Sequence, residues 1–332
     1  MRLRPKVLPR AKEAIARNIF PGCVIGSLCN GVREVEAFGS LCQDTEEVQP
    51  NTVYDCASIT KSVVTATLAH QLLDEGRISL DTRLIEHVPE YAARWRDEIT
   101  VWHLLTHTVG GYALSQWKEK SAKEIEQLVM TTDFAWRPGE RYAYGNVSSL
   151  LLGLLLERVL GKSLLDSART CIFKPYDMKQ SSMISTSYSC APAEIVDSTE
   201  VCGVVHDESA RMFARERRAV GHAGLFSTAD DLLTFAEAFM KGEIVSNGII
   251  SVLQKNQIEH LGSSTGLGWE LHQEWMGNYT NAIGKTGFTG TSILIDRAQQ
   301  KACVILSNRT YPRRPTDSRT ITAFRKAVHC SF

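Results

Sequence analysis

Apolar residues surround the stretch 58–75 on nearly every side (Ile59, Val63, Val64, Leu68, Leu72 and Leu73), and Gly76 closes it. A helix that is hydrophobic all round is a central one, buried by its neighbours, and a glycine just past its end is a common stop. The longest apolar run, from Leu150 to Leu156, is interrupted only by Gly153 and ends at Glu157 and Arg158. It is far too short to cross a bilayer, so it predicts a second buried helix over 146–160 that stops at Gly161. Further helices are predicted over 9–18, 100–106, 122–131, 230–240 and 317–328. Thr228 caps the fourth of these, with Asp231 three residues on, a variant of the capping box.

Two apolar stretches, 23–28 and 32–38, flank Cys29-Asn30-Gly31 and predict a tight antiparallel hairpin. Strand patterns return at 266–272, 291–296 and 302–307. Strands at both ends with helices between them predict an α/β fold of the α+β type. Its antiparallel sheet is built from the two chain ends and flanked by the first and last helices, with an inserted mainly helical region. The expected division is 1–75 with 246–332 for the sheet region and 76–245 for the helical region, with the site in the cleft between them. There is no internal repeat and no low-complexity linker.

Charge and cysteine usage then exclude several classes. Lys plus Arg and Asp plus Glu number 37 each, so the 332-residue chain carries no net charge. No basic stripe marks a nucleic-acid partner; Arg2, Arg4, Lys6 and Arg10 read as a solvated helix start. Glu13, Arg17 and Asn18 interrupt any apolar core of a secretory signal, so a cytoplasmic protein with no membrane partner is expected. The nine cysteines are scattered without a C-x-x-C pair. That fits free thiols in a reducing compartment better than a disulfide framework or a zinc knuckle.

Three short motifs carry chemistry. Ser58-Ile59-Thr60-Lys61 sets a hydroxyl and an amine on one face at the start of the buried helix. A serine there has its N–H at the positive helix end, and a buried amine loses its proton readily enough to act as a base. Tyr144-Gly145-Asn146, just before another buried helix, offers a phenol to relay a proton and a carboxamide to orient its neighbours. Lys285-Thr286-Gly287, followed by Phe288-Thr289-Gly290, offers an edge strand for a substrate to lie along, with a cation and a hydroxyl at one end. Each pattern alone is common. Ser115 to Lys118 repeats the first but lacks a strand before it and a buried helix after it, and so reads as surface; Tyr279 to Asn281 matches the second equally well.

The order and setting of these motifs resemble the three boxes of the β-lactamase/penicillin-binding-protein superfamily. The wider likeness is to class C β-lactamase-like serine hydrolases. It includes Phe20-Pro21-Gly22, Tyr54-Asp55-Cys56-Ala57-Ser58, His103-Leu-Leu-Thr-His107-Thr108, Arg137-Pro138-Gly139-Glu140, Gly221-His222-Ala223-Gly224-Leu225-Phe226-Ser227, Gly266-Leu-Gly268-Trp269 and Ser307-Asn308-Arg309. The resemblance implies Ser58 as nucleophile, Lys61 as its base, Tyr144 as general acid/base and Asn146 as the orienting amide. It also implies an oxyanion hole from the N–H groups of Ser58 and Phe288, with Lys285 and Thr286 beside Gly287 facing a substrate carboxylate. Relatives of this type often carry His in place of Lys285, so Lys285 tilts the expectation towards anionic substrates. No cofactor or metal is implied, and the partner is a small-molecule or short-peptide substrate.

Competing readings are weaker. His103 and His107 have the spacing of a helical metal pair, but no third ligand is evident, so they read as structural. Gly262 to Gly266 matches a nucleophile elbow around Ser264, with Asp296 and His329 in order, but a strand pattern follows it where a helix is needed. Gly161-Lys162-Ser163 lacks the first glycine of a phosphate loop. His222, in a glycine-rich turn, is equally a structural residue or a support for the site. Within the hydrolase reading, a β-lactamase or D-amino-acid peptidase and a carboxylesterase on small acyl esters both stand. A non-turnover penicillin-binding or sensor protein is opposed by the intact Lys61 and Tyr144.

Overall fold

The computed structural model describes residues 2–42 and 46–331. Its strands in chain order are β1 (Gly22–Cys29), β2 (Val32–Gly39), β3 (Tyr54–Asp55), β4 (Ser182–Met183), β5 (Glu194–Val196), β6 (Thr199–Val201), β7 (Leu225–Ser227), β8 (Ile283–Thr286), β9 (Ser292–Asp296) and β10 (Lys301–Ser307). The main sheet has the order β2-β1-β10-β9-β8 and is antiparallel throughout. It is built from the two chain ends, as predicted. The β1–β2 hairpin turns on Asn30 and Gly31, both at positive φ (48° and 79°), the pairing whose twist suits a two-residue loop.

Strand alternation divides the core. Cys23 and Ile25 of β1 and Cys303 and Ile305 of β10 face the helices Leu3–Ala16 and Arg319–His329. Val24 and Leu28, with Val304 and Leu306, face the larger core that includes Leu232, Leu233 and Ala236 of helix Ala229–Lys241. The opening helix starts at Leu3, six residues before the predicted 9–18, and carries Pro9 inside it. Pro9 costs about 3 kcal/mol by removing a helical hydrogen bond. Burial of the Leu3, Val7, Ala11 and Ala14 stripe offsets this, since Leu3 and Val7 alone contribute about 1.5–3 kcal/mol each.

The predicted continuous helix 58–75 is a composite. Ala57 and Ser58 form a turn, Ile59 and Thr60 are α-helical, Lys61–Ala66 is π-helical, and Thr67–Asp74 is α-helical. Three hydroxyls of this stretch are hydrogen-bonded to backbone carbonyls. Ser62 Oγ donates to the Gly268 carbonyl (2.6 Å), Thr65 Oγ1 to Gly221 (2.7 Å) and Thr67 Oγ1 back to Ser62 (3.0 Å). The predicted strand 266–272 does not form; only Thr265 and Glu270 make isolated bridges. Gly268 and His272 sit at positive φ (76° and 52°), which breaks the extended run, and Trp269 turns into the core. A second sheet, β3-β7-β4, was not predicted because its strands are two or three residues long.

Two histidines are buried with their rings neutral. Burial pushes His70 down to about 4 despite its bond to the Leu267 carbonyl, and burial with Arg325 nearby pushes His329 down to about 3. Both take up a proton on unfolding below pH 6.5, so the stability their neutrality supports is lost as pH falls from about 6.5 towards 4. Thermal unfolding recorded from pH 7.5 to 4.5 should show Tm falling across that window. A flat Tm would mean these rings are protonated, or solvated, in the native state. No helix among the described residues is long and apolar enough to cross a membrane.

Candidate active site

The strand and turn that carry Ser58 are pinned from several sides. Asp55 Oδ1 accepts the Ala57 N–H (2.7 Å) and Oδ2 the His206 N–H (2.7 Å). Ala57 is held at φ 47°, so the chain bends sharply just before Ser58. Thr60 Oγ1 donates to the Ala57 carbonyl and accepts the Leu225 N–H of β7. From the other side, Thr289 Oγ1 donates to the Asp55 carbonyl (2.7 Å) and Thr291 Oγ1 to that of Cys56 (3.1 Å). The turn after β8 is thereby tied to the turn of Ser58.

Every residue singled out by the three motifs reaches this place. Ser58, Tyr144, Asn146, Thr286, Gly287 and Phe288 line one cleft of about 510 Å³. Lys61 Nζ lies 2.8 Å from Ser58 Oγ, 2.9 Å from Asn146 Oδ1 and 2.8 Å from the His222 carbonyl. Its burial lowers its proton affinity, and the positive Lys285 lowers it further against the opposing pull of Tyr144 and Asp207. Tyr144 lines the cleft with 46% of its surface exposed, and Lys61 Nζ lies 5.4 Å from the centre of its ring. Burial raises the phenol's affinity for its proton, but Lys285 and Lys61 outweigh that and hold it below its ordinary value. The His107 ring packs against Tyr144 at 4.8 Å between centroids; burial first, then Lys285 and Lys61, keep it neutral.

The third motif brings partners that the sequence did not reveal. Lys285 Nζ sits 4.1 Å from the centre of the Tyr144 ring and 2.7 Å from Glu270 Oε1. Burial lowers its proton affinity but Glu270 more than restores it, so it stays charged. Thr286 Oγ1 donates to the same oxygen of Glu270 (3.2 Å), and Trp275 Nε1 donates to the other (2.9 Å). The cationic end of the cleft therefore already holds a carboxylate of the chain itself. Arg309 and Arg325 line the same cleft; Arg325 donates to the carbonyls of Gly287 and Thr291, and Arg309 to that of Phe288. The N–H groups of Ser58 and Phe288 donate to nothing among the described residues.

Beyond Tyr144 to Val147 a further cavity of about 690 Å³ opens, with Tyr112, Leu114, Trp136, Val147 and Phe288 among its apolar lining. Asp207, which no sequence motif singled out, lies between the two spaces. The arrangement presents a hydroxyl against an amine of lowered basicity, a phenol lining the same cleft, and two N–H donors without a partner among the described residues. Such a set can activate a nucleophile and stabilise an oxyanion.

The competing readings fare differently. His103 is used by the helix start, its Nδ1 accepting the Thr100 N–H (3.1 Å), and no group of three metal ligands occurs among the described residues. Ser264 Oγ meets His272 (2.9 Å), Asp296 accepts from Gln299, and both ring nitrogens of His329 lack polar partners. The elbow reading has no triad. Tyr279 is packed beside Trp275 and Leu294.

The chain matches a family model described as Beta-lactamase over residues 13–326. It is 25% identical over 305 residues to a putative D-alanyl-D-alanine carboxypeptidase of Salmonella agona (strain SL483), covering 79% of this chain and 70% of that one. Its fold overlays on a class C beta lactamase with a TM-score of 0.80 at 19% identity, covering 99% and 98% of the two chains. It overlays equally, with a TM-score of 0.80 at 17% identity over 98% of each chain, on EstCE1, described as a hydrolase with promiscuous acyltransferase activity.

Proposed function

Because the chain belongs to the beta-lactamase family of serine hydrolases, we propose that it works through an acyl-enzyme formed on Ser58. The observation that carries this reading is the 2.8 Å contact between Lys61 Nζ and Ser58 Oγ, made by an amine that burial has weakened as an acid-holding group. Lys61 takes the Ser58 proton as Oγ attacks the carbonyl carbon. The oxyanion is received by the N–H groups of Ser58 and Phe288. Tyr144 passes its proton to the leaving group and, left as a phenolate, later takes one from the water that releases the acyl group, while Lys61 helps by returning its proton to Ser58 Oγ.

Two substrate classes fit this machinery. A β-lactam or a peptide ending in a D-amino acid would use the Lys285 cation for its carboxylate. A neutral acyl ester is favoured by two observations: Glu270 already neutralises Lys285, and the adjoining cavity is largely apolar. Intact-protein mass after mixing wild type and Ser58→Ala with a penicillin, and separately with a short-chain p-nitrophenyl ester, tests the reading. An adduct or turnover is expected on wild type only, and which reagent reacts faster sorts the two classes. Full ester hydrolysis by Ser58→Ala would sink the mechanism.

A further inference from the structure

Lys61 reaches three acceptors, and the two that are not the nucleophile both lead back to one carboxylate. The first route runs through Asn146. Its Oδ1 accepts from Lys61, and its Nδ2 donates to Asp207 Oδ2 (3.0 Å). An amide flipped by half a turn would set its NH₂ against the ammonium, so the Asp207 contact selects the orientation that Lys61 needs. The second route runs through His222. Its backbone carbonyl accepts from Lys61, and its ring Nε2 lies 3.3 Å from Asp207 Oδ1 and 3.0 Å from Ser209 Oγ. One side chain thus braces both of the contacts that aim the amine.

Resting on the acyl-enzyme reading above, we propose that Asp207 is the positioning residue of the reaction, holding Lys61 on Ser58 through Asn146 and His222. It is not a second base. Its Oδ1 accepts from Ser209 Oγ (2.7 Å), the Ala210 N–H (2.9 Å) and His222, and its Oδ2 accepts from Asn146. Burial works against its ionised form, but these bonds, that from His222 foremost, hold the carboxyl well below the usual range. A carboxylate so engaged has little basicity left for a water. It also acts on Lys61 by charge. The groups facing the amine are Tyr144, Lys285 and Asp207, with His107 and His222 close enough to feel its charge; Asp207 and Tyr144 favour the protonated amine and Lys285 opposes it.

Asp207→Asn is the direct test, because Asn caps the helix Glu208–Arg215 about as well as Asp and so preserves the fold. With the reagent that acylates Ser58 fastest, kcat should fall about 10-fold to 100-fold while KM stays within about twofold. The acid limb of the kcat/KM profile should also move to lower pH, by about half a unit, because Lys61 loses a negative neighbour. A purely structural role would leave that limb in place. Asp207→Glu keeps the charge but displaces the oxygens, so it should restore the limb while kcat stays low. A folded Asp207→Asn protein with wild-type kcat and an unmoved limb overturns the proposal. Should that variant not fold, wild-type kcat in Asp207→Glu overturns it equally. Activity surviving in Ser58→Ala would instead sink the acyl-enzyme reading, whatever the Asp207 variants do.

Discussion

Lys61→Arg should lower kcat/KM by about 10²–10⁴-fold, and single-turnover acylation of Ser58 should slow by the same factor. Arginine keeps a positive charge beside Ser58 but holds its proton at every accessible pH, so the variant separates a proton acceptor from a mere cation. The native lysine is prepared for the first task. It is 3% exposed, burial lowers its affinity for the proton, and Lys285 lowers it further. In its neutral form the amine can donate its two N–H groups to Asn146 Oδ1 and the His222 carbonyl and turn its lone pair to Ser58 Oγ at 2.8 Å, so the transfer needs no rearrangement. Tyr144 is the competing base. Its phenol is also held below its ordinary value, and Lys285 stays charged over its ring. The charge of each group bears on the proton affinity of the other. Acylation by Lys61→Arg at close to the wild-type rate would assign the Ser58 proton to Tyr144 and reduce Lys61 to an electrostatic support.

The parts of this machinery that were legible in the sequence are those whose signal is local. The buried helix after Ser58 shows in its apolar residues, the helix after Tyr144-Gly145-Asn146 in the run to Leu156, and the third motif in its glycines. The β1–β2 hairpin is legible because Asn30-Gly31 is a backbone requirement written in two residues. What was not legible depends on contacts between distant segments. The π-helical turn at Lys61–Ala66 coincides with hydroxyl bonds to Gly221 and Gly268, some 150 to 200 positions away. Glu270 sits in a stretch whose alternation reads as a strand, and only the turn at Gly268 delivers it to Lys285. Asp207 looks like any N-cap aspartate; its second oxygen, turned to Asn146, is what sets it apart. Arg325 lies on a helix whose outer positions are mostly polar, yet it is 4% exposed and supports the carbonyls of the third motif from behind.

Gly287→Ala should cost at least about 100-fold in kcat/KM and lower Tm by several degrees, although the change adds a single methyl group. The reason is space rather than backbone freedom. An alanine Cβ at this position would lie 2.0 Å from Thr291 Oγ1 and 2.5 Å from the Cys56 carbonyl oxygen. Thr291 cannot swing clear at no cost, because its hydroxyl donates to that same carbonyl, and Gly287 itself is fixed by its N–H to Thr291 O (2.8 Å) and by Arg325. The strand end and the turn of Ser58 must therefore move apart. Overpacking of this kind costs about 1–3 kcal/mol. The larger penalty is geometric: the N–H groups of Ser58 and Phe288 lie on the two segments being separated, and a displacement of about 1 Å between such groups is worth about 100-fold in rate. Gly145→Ala is the matched control. It also lies in a motif beside the cleft, but its backbone is extended at φ −165° and the nearest contact to a new Cβ is the Ala143 carbonyl at 3.9 Å. That variant should keep activity within about threefold of wild type, since an open site needs no compensating shift. Equal, mild losses in the two variants would mean that the distance between the Ser58 turn and the end of β8 is not what sets the rate, and the oxyanion would have to be held elsewhere.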